Sequence, residues 1–544
     1  MVRGFLLAIV CTLFLGLLVQ LWLSWDVFFF NQCHGVEFGS LSFWYFSIDI
    51  NLSFLLNQLS LLFAILVTII GLSTNVYALN YFKNEADEGL FLFWLNAFII
   101  SMLLLILGDN LFTIFLGWEL IGLASFFLIN FWVNRRGTLK SSFKAFAFNA
   151  VSDLFLLISF VSLFIATGST SISDMEFLTL LFFSDFQYYL YVGGLSLLVC
   201  ASIKSVQFLG HLWLPDSMEA PVPASSLIHS ATLVSAGVFL LLKFNFLFQV
   251  TGLEKYIFLL GALSCAYGGV VALVQTDMKK LLAYSTMSHC GFLYICVYLN
   301  NIYLVSVYLI LHGIFKAATF YCVGTFIRVF KTQDSRLMGS ASRLLFFETM
   351  LLILCSVNLG GFPFLVGYFY KVFFFKLLLS SSFYFLPIGF IVIGLLCSVI
   401  YVFRLVYYSC FDILKSSAVK IIFYVQRSAY SISKSYTLST DVTLLGIIIL
   451  FTFSFSIGIL TAYYYFFNII DFSTIFYGTS SLTPICGDYE TIYSYYFLVF
   501  YYCYLLVIWV IVFLFFRNNI LVNEMLFYYL TIYLSICILL VINL

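Results

Sequence analysis

Continuous apolar runs of membrane-spanning length recur along almost the whole of this chain, and they leave it few folds other than a bundle of membrane helices. A helix needs about 20 predominantly apolar residues to cross the hydrocarbon core. Runs of that kind fall near residues 4-25, 51-73, 90-108, 110-132, 145-168, 188-213, 221-247, 256-275, 281-299, 302-330, 344-378, 384-410, 442-467, 494-516 and 521-544. They are continuous and do not alternate, which argues for helices over a barrel. At 63% hydrophobic and 9% charged over 544 residues, a soluble surface would have to be built from Leu, Phe and Ile. The expected fold is an all-α polytopic membrane protein with about 15 transmembrane helices.

Charge and cysteine usage exclude other classes. The formal net charge of zero offers no basic face to neutralise phosphate, so a nucleic-acid role is excluded. None of the 13 cysteines forms a CxxC pair. Cys200, Cys265, Cys355 and Cys397 lie inside expected spans, where cysteine behaves as a small hydrophobe, and no metal site is expected. The opening MVRGFLLAIVCTLFLGLL lacks the Arg- and Ser-rich pattern of a transit peptide and reads as a first helix. With these spans, Arg135, Arg136, Lys140, Lys144, Lys279, Lys280, Lys331, Arg336, Arg343, Lys415, Lys420, Arg427 and Lys434 fall on one side. That side is expected to be the cytoplasm or mitochondrial matrix.

Polar residues then interrupt the apolar pattern in one place above all: Lys204, followed by HLWLPDSMEAPVPASSLIHSATLVSAGVFLLLK from His211 to Lys243. Pro215, Pro221 and Pro223, His211 and His229, and the acids Asp216 and Glu219 crowd into it. Proline removes a backbone donor and breaks a helix, so the freed carbonyls must face protein, water or ions rather than lipid. A second interruption, LGGFPFLVGYFYK from Leu359 to Lys371, also places a lysine at a break. Paired broken helices in corresponding halves are the sign of an inverted-repeat transporter, with its sites at the breaks.

Ionisable residues inside spans are the candidate functional groups. Glu119, Asp153, Lys204, Lys316 and Lys371 each interrupt an apolar run, at about 2.5 to 3.5 kcal/mol apiece on insertion scales. Helix-locking ion pairs are the bland alternative, but their separation along the chain favours a row of proton or ion sites. His312 and Lys316 share a helix face by their spacing, as Lys204 and His211 do if that helix runs on. His229 is read as a relay or as a satisfied core histidine.

The segments NLFTIFLGWELIGLASFFLINFW, HLWLPDSMEAPVPASSLIHSATLVSAGVFLL, QTDMKKLLAYSTMSHCGF, LHGIFKAATF, QDSRLMG and GGFPFLVGYFYK resemble, in order over about residues 40 to 410, the antiporter-like chain 5 of NADH:ubiquinone oxidoreductase, respiratory complex I. The resemblance implies proton translocation. Glu119 would pair with Lys204, Lys316 would be the central connecting lysine, and Lys371 would face the exit, with Asp153, His229 and His312 lining the route. An acid and an ammonium about 4 Å apart attract by roughly 4 kcal/mol at an effective dielectric near 20. Without that support a buried ammonium keeps its desolvation cost and can release its proton.

The resemblance also implies the organisation: residues 1-108 as N-terminal helices, 109-275 as a first repeat broken near 204-221, 276-410 as a second repeat broken near 358-371, and 411-544 as a basic loop with C-terminal helices. It implies a multi-pass protein of the mitochondrial inner membrane, or of a bacterial plasma membrane. Its implied partners are lipids and other membrane-arm subunits, chain 4 especially. FMN, iron–sulfur clusters and ubiquinone would belong to those subunits, with no cofactor in this chain. Departures from the family pattern are one helix before VYALNYF where two are usual, Val372 where an acid is common, and only Arg517, Asn518 and Asn519 between the last two spans, where a long lateral helix is customary. An Mrp-type or stand-alone cation/proton antiporter, and a structural scaffold with a decayed proton path, are the competing readings.

Overall fold

A computed structural model of the chain describes Gly16 and residues 34–43 and 48–412, apart from 83, 84, 86, 182, 231, 363, 364 and 381–384. The expected spans near 4-25 (Gly16 aside), 442-467, 494-516 and 521-544 lie outside the described residues. The helices are α1 (Gln58–Tyr81), α2 (Glu88–Leu107), α3 (Leu111–Ile129), α4 (Arg136–Thr167), α5 (Ile172–Leu181), α6 (Phe183–Lys204), α7 (Val222–Ser230), α8 (Leu233–Lys243), α9 (Asn245–Thr251), α10 (Glu254–Val274), α11 (Met278–Tyr298), α12 (Ile302–Phe330), α13 (Ala341–Leu344), α14 (Phe346–Gly360), α15 (Val366–Ser380) and α16 (Phe385–Val406). Among the described residues, 10 helical segments are long and apolar enough to cross a membrane, with Val222–Lys243 counted as one.

An antiparallel hairpin departs from the all-helical expectation. Strand β1 (His34–Phe43) pairs with β2 (Ile48–Leu56), so the span placed at 51-73 is corrected to a strand ending at Leu56 and a helix beginning at Gln58. The cause is legible in Ile48-Asp49-Ile50-Asn51-Leu52-Ser53-Phe54, which alternates apolar and polar residues with the period of a strand. The expected run 344-378 likewise divides into α14 and α15, because Gly361 takes a left-handed φ of 77° and ends α14. Helix α4 starts at Arg136 rather than near 145; its 32 residues reach about 48 Å at 1.5 Å each, longer than the roughly 30 Å hydrocarbon core. Its first turns, with Lys140 and Lys144, therefore extend beyond the apolar layer.

Small residues set the closest helix contacts. Lipid supplies no hydrophobic drive between helices, so close backbone approach has to supply the packing. A Cβ at Gly291 of α11 would lie 2.6 Å from the carbonyl oxygen of Gly261 on α10, and one at Gly269 of α10 would lie 2.9 Å from Cβ of Cys397 on α16. These contacts draw α10, α11 and α16 into one tight group beside α12. On the face that carries the basic loops, Lys144 pairs with Asp216 at 2.6 Å, and Lys279 donates to the carbonyl of Ala220 at 3.0 Å. Asp216 and the Ala220 carbonyl thus tie the proline-rich segment to the loop side.

Candidate functional site

Lys204 ends α6 with its side chain fully buried. Its ammonium donates to the carbonyl oxygen of Trp118 on α3 at 2.7 Å and stands over the Trp118 ring, 4.1 Å from its centroid. Its ion-pair partner is Asp153 of α4, at 3.6 Å. Glu119, expected in that place, makes no ion pair with Lys204. It lies on the exposed stripe of α3 with Phe112, Leu116, Leu120 and Leu123. Trp118 is turned into the core, and the next residue of a helix points about 100° away, which carries Glu119 outward.

The helix does not continue to His211, so the shared face expected for Lys204 and His211 does not form. Beyond Lys204 the chain turns through Val206 (φ 61°) and Leu209 (φ 75°), each in a conformation that costs a non-glycine residue on the order of 1 kcal/mol. The carbonyl freed at Ile203 accepts from Nε1 of Trp213 at 3.0 Å, and Ser205 bonds the hydroxyl of Tyr294 at 2.6 Å. His211 instead packs against the rings of Phe208 and Tyr267, which also meet each other. Pro223 sits in the first turn of α7, where a missing N–H is tolerated, so the prolines start a helix here as much as they end one. His229 on α7 is buried between the rings of Trp213 and Phe320, with Nε2 3.2 Å from the hydroxyl of Ser217.

Lys316 and His312 occupy one buried face of α12. The Lys316 ammonium donates to the Ser285 hydroxyl and, at 3.3 Å, to the Leu282 carbonyl, both on α11. His312 has its ring centroid 5.3 Å from that of His289, and its Nε2 has no hydrogen-bond partner among the described residues.

His289 was missed by the sequence reading. It is fully buried on α11, with Nδ1 2.8 Å from the Tyr308 hydroxyl and Nε2 3.2 Å from that of Tyr401. The signal that could have found it is the one used for the lysines, an ionisable residue in an apolar run.

Lys371 on α15 donates to the carbonyl oxygens of Leu359 at 2.8 Å and Gly360 at 3.0 Å, and to the Ser398 hydroxyl at 3.5 Å. Those carbonyls close α14, whose C-terminus carries the negative end of its dipole. Lys243, also missed, caps α2 in the same manner through the carbonyls of Gly108 and Ile106. Backbone oxygens released at helix ends and breaks thus hold several amines inside the bundle. Amines and imidazoles so placed can each take and release a proton.

A bundle of apolar helices with broken elements and buried lysines at the breaks defines an antiporter-like membrane protein. Residues 108–400 match the family described as NADH:quinone oxidoreductase/Mrp antiporter, transmembrane, and residues 44–93 match the complex I chain 5 N-terminus. NADH-ubiquinone oxidoreductase chain 5 of Paramecium tetraurelia is 41% identical over 440 residues, 78% of this chain and 75% of that protein. The Phytophthora infestans chain 5 is 36% identical, covering 59% of this chain and 50% of that protein. NADH-quinone oxidoreductase subunit L of Buchnera aphidicola is 34% identical, covering 66% and 59%. In fold, the chain is similar to a chain of the Mrp complex from Dietzia sp. DQ12-45-1b, with a TM-score of 0.64 at 20% identity over 96% of this chain and 59% of that one. This chain belongs to the NADH:quinone oxidoreductase/Mrp antiporter family, on its chain 5 branch.

Proposed function

We propose that this chain is a proton-translocating membrane subunit of respiratory complex I. NADH:ubiquinone oxidoreduction on partner subunits, which would hold FMN, iron–sulfur clusters and ubiquinone, drives protons along Lys204, Lys316 and Lys371. The observation that carries this reading is the burial of all three amines, at 0%, 0% and 3% exposure, where each costs several kcal/mol unless it is supported. Asp153 supports Lys204, Ser285 supports Lys316, and the end of α14 supports Lys371. A change in any support changes the ease with which that amine gives up its proton. His312 shares the buried face of α12 with Lys316, and His229 lies near that same lysine, as polar stations. The partners are other membrane-arm subunits, with chain 4 as the expected neighbour, and lipid.

The fold likeness to an Mrp complex favours a second reading, a subunit of a cation/proton antiporter; the relatives named for complex I are much closer in sequence. The test is Lys204→Ala and Lys371→Ala in the assembled complex, with proton pumping measured against NADH oxidation in sealed vesicles. A strong loss of pumping in both supports the proposal. Unchanged pumping in both sinks it, and sodium transport by the isolated chain selects the second reading.

A further inference from the structure

We propose that His289 is a proton-relay residue that joins Lys316 to Lys371. The inference rests on the translocation reading above and adds a residue and a route to it. The two lysines lie on different helices, α12 and α15, and the polar groups between them come from α11, α12 and α16. Ser285 accepts from the Lys316 ammonium. The hydroxyls of Ser285 and Ser288 lie beside that of Tyr401, which bonds Nε2 of His289 at 3.2 Å. On the opposite side of the imidazole, Nδ1 bonds the Tyr308 hydroxyl at 2.8 Å. The Tyr308 ring packs against that of Tyr370 at 4.6 Å, and Tyr308, Tyr370 and Lys371 line one cavity together with Phe292, Cys296 and Phe374.

An imidazole hydrogen-bonded at both nitrogens can take a proton on one while releasing the proton on the other. The Lys316 ammonium gives a proton to the serine hydroxyl, whose own proton moves to the Tyr401 oxygen. Tyr401 gives its hydroxyl proton to Nε2, and Nδ1–H passes to the Tyr308 oxygen. The Tyr308 hydroxyl proton reaches the neutral Lys371 amine through one water in the cavity that both line, which takes that proton and gives up one of its own. One ammonium is lost and one is gained, every oxygen keeps its proton count, and the imidazole ends as its other tautomer. His312, 5.3 Å away between ring centroids, and the two lysines are the other ionisable groups facing this ring.

The test uses the assembled complex with His289→Gln, Tyr401→Phe and, as reference, Lys316→Ala, comparing protons pumped per NADH oxidised. Glutamine keeps two hydrogen-bonding atoms but cannot pass a proton by tautomerisation, so a merely structural role survives it. The expected result is a fall in the pumping ratio of His289→Gln and Tyr401→Phe to that of Lys316→Ala, with NADH oxidation retained. A wild-type ratio in His289→Gln beside a failing Lys316→Ala overturns the relay and leaves the translocation reading standing. A wild-type ratio in Lys316→Ala overturns the translocation reading itself. Should His289→Gln fail to assemble, Tyr401→Phe decides: the same loss supports the relay, and an unchanged ratio overturns it.

Discussion

The ammonium nitrogen of Lys371 lies 2.8 Å from the carbonyl oxygen of Leu359, so the second break in the helices is itself the ligand of the lysine beside it. An unpaired carbonyl in hydrocarbon and an unpaired ammonium in hydrocarbon are each costly. Brought together they relieve one another, with a hydrogen bond to a charged group contributing about 1.5 to 3 kcal/mol. The break and the lysine are one device, and displacement of the helix end would release the amine.

Gly361→Ala strikes that device directly. Gly361 has a φ of 77°, which costs an L-residue about 1 to 2 kcal/mol, and its new Cβ would lie 2.5 Å from Cδ of Lys371. At Gly360 the nearest atom would be a ring carbon of Phe362 at 3.2 Å, a contact that a small shift relieves. The expected outcome is loss of pumping in assembled Gly361→Ala, with Gly360→Ala close to wild type. Proton pumping per NADH oxidised in the two variants side by side checks it.

Asp153, rather than Glu119, is the acid that forms an ion pair with the Lys204 ammonium. Asp153→Asn leaves the buried ammonium of Lys204 without its acid, at a cost of about 3 kcal/mol, the lower end for a broken buried pair because Asp153 is 20% exposed. Glu119→Gln breaks no ion pair of Lys204 within this chain and removes only a weaker, longer-range attraction. The larger fall in pumping is expected for Asp153→Asn. A larger fall in Glu119→Gln, measured in the same assembled complex, would show that Glu119 reaches Lys204 by a movement or through a neighbouring subunit.

The helices, their membrane character and the lysines were legible in the sequence because the insertion cost of a charge depends on one dimension, its place along an apolar run. Partners were less legible, because they depend on rotation about a helix axis. Trp118 and Glu119 are adjacent in the chain, yet one is buried under Lys204 and the other faces outward. The hairpin strand from Ile48 was hidden by the apolar run that follows it, which drew the expected helix start back across an alternating segment. His289 carries the same signal as the lysines, an ionisable residue in a long apolar run; what the sequence hid is its partners, Tyr308 approaching from α12 and Tyr401 from α16.

The seam between α10 and α11 provides a separate test of how the relay residues are held. At Gly291 a Cβ would meet the Gly261 carbonyl oxygen and the Ser264 hydroxyl, each at 2.6 Å, and the Cys265 amide nitrogen at 2.7 Å. Two of those atoms are backbone, so the strain cannot be relieved by turning a side chain. Helix α11 has to move away from α10, and it carries Ser285, Ser288 and His289 with it. Overpacking of this kind costs about 1 to 3 kcal/mol. Gly291→Ala is therefore expected to lower both the thermal stability of the assembled membrane arm and the pumping ratio, whereas His289→Gln lowers the ratio alone. A Gly291→Ala complex of unchanged stability would mean that the α10–α11 contact is looser than the backbone spacing implies.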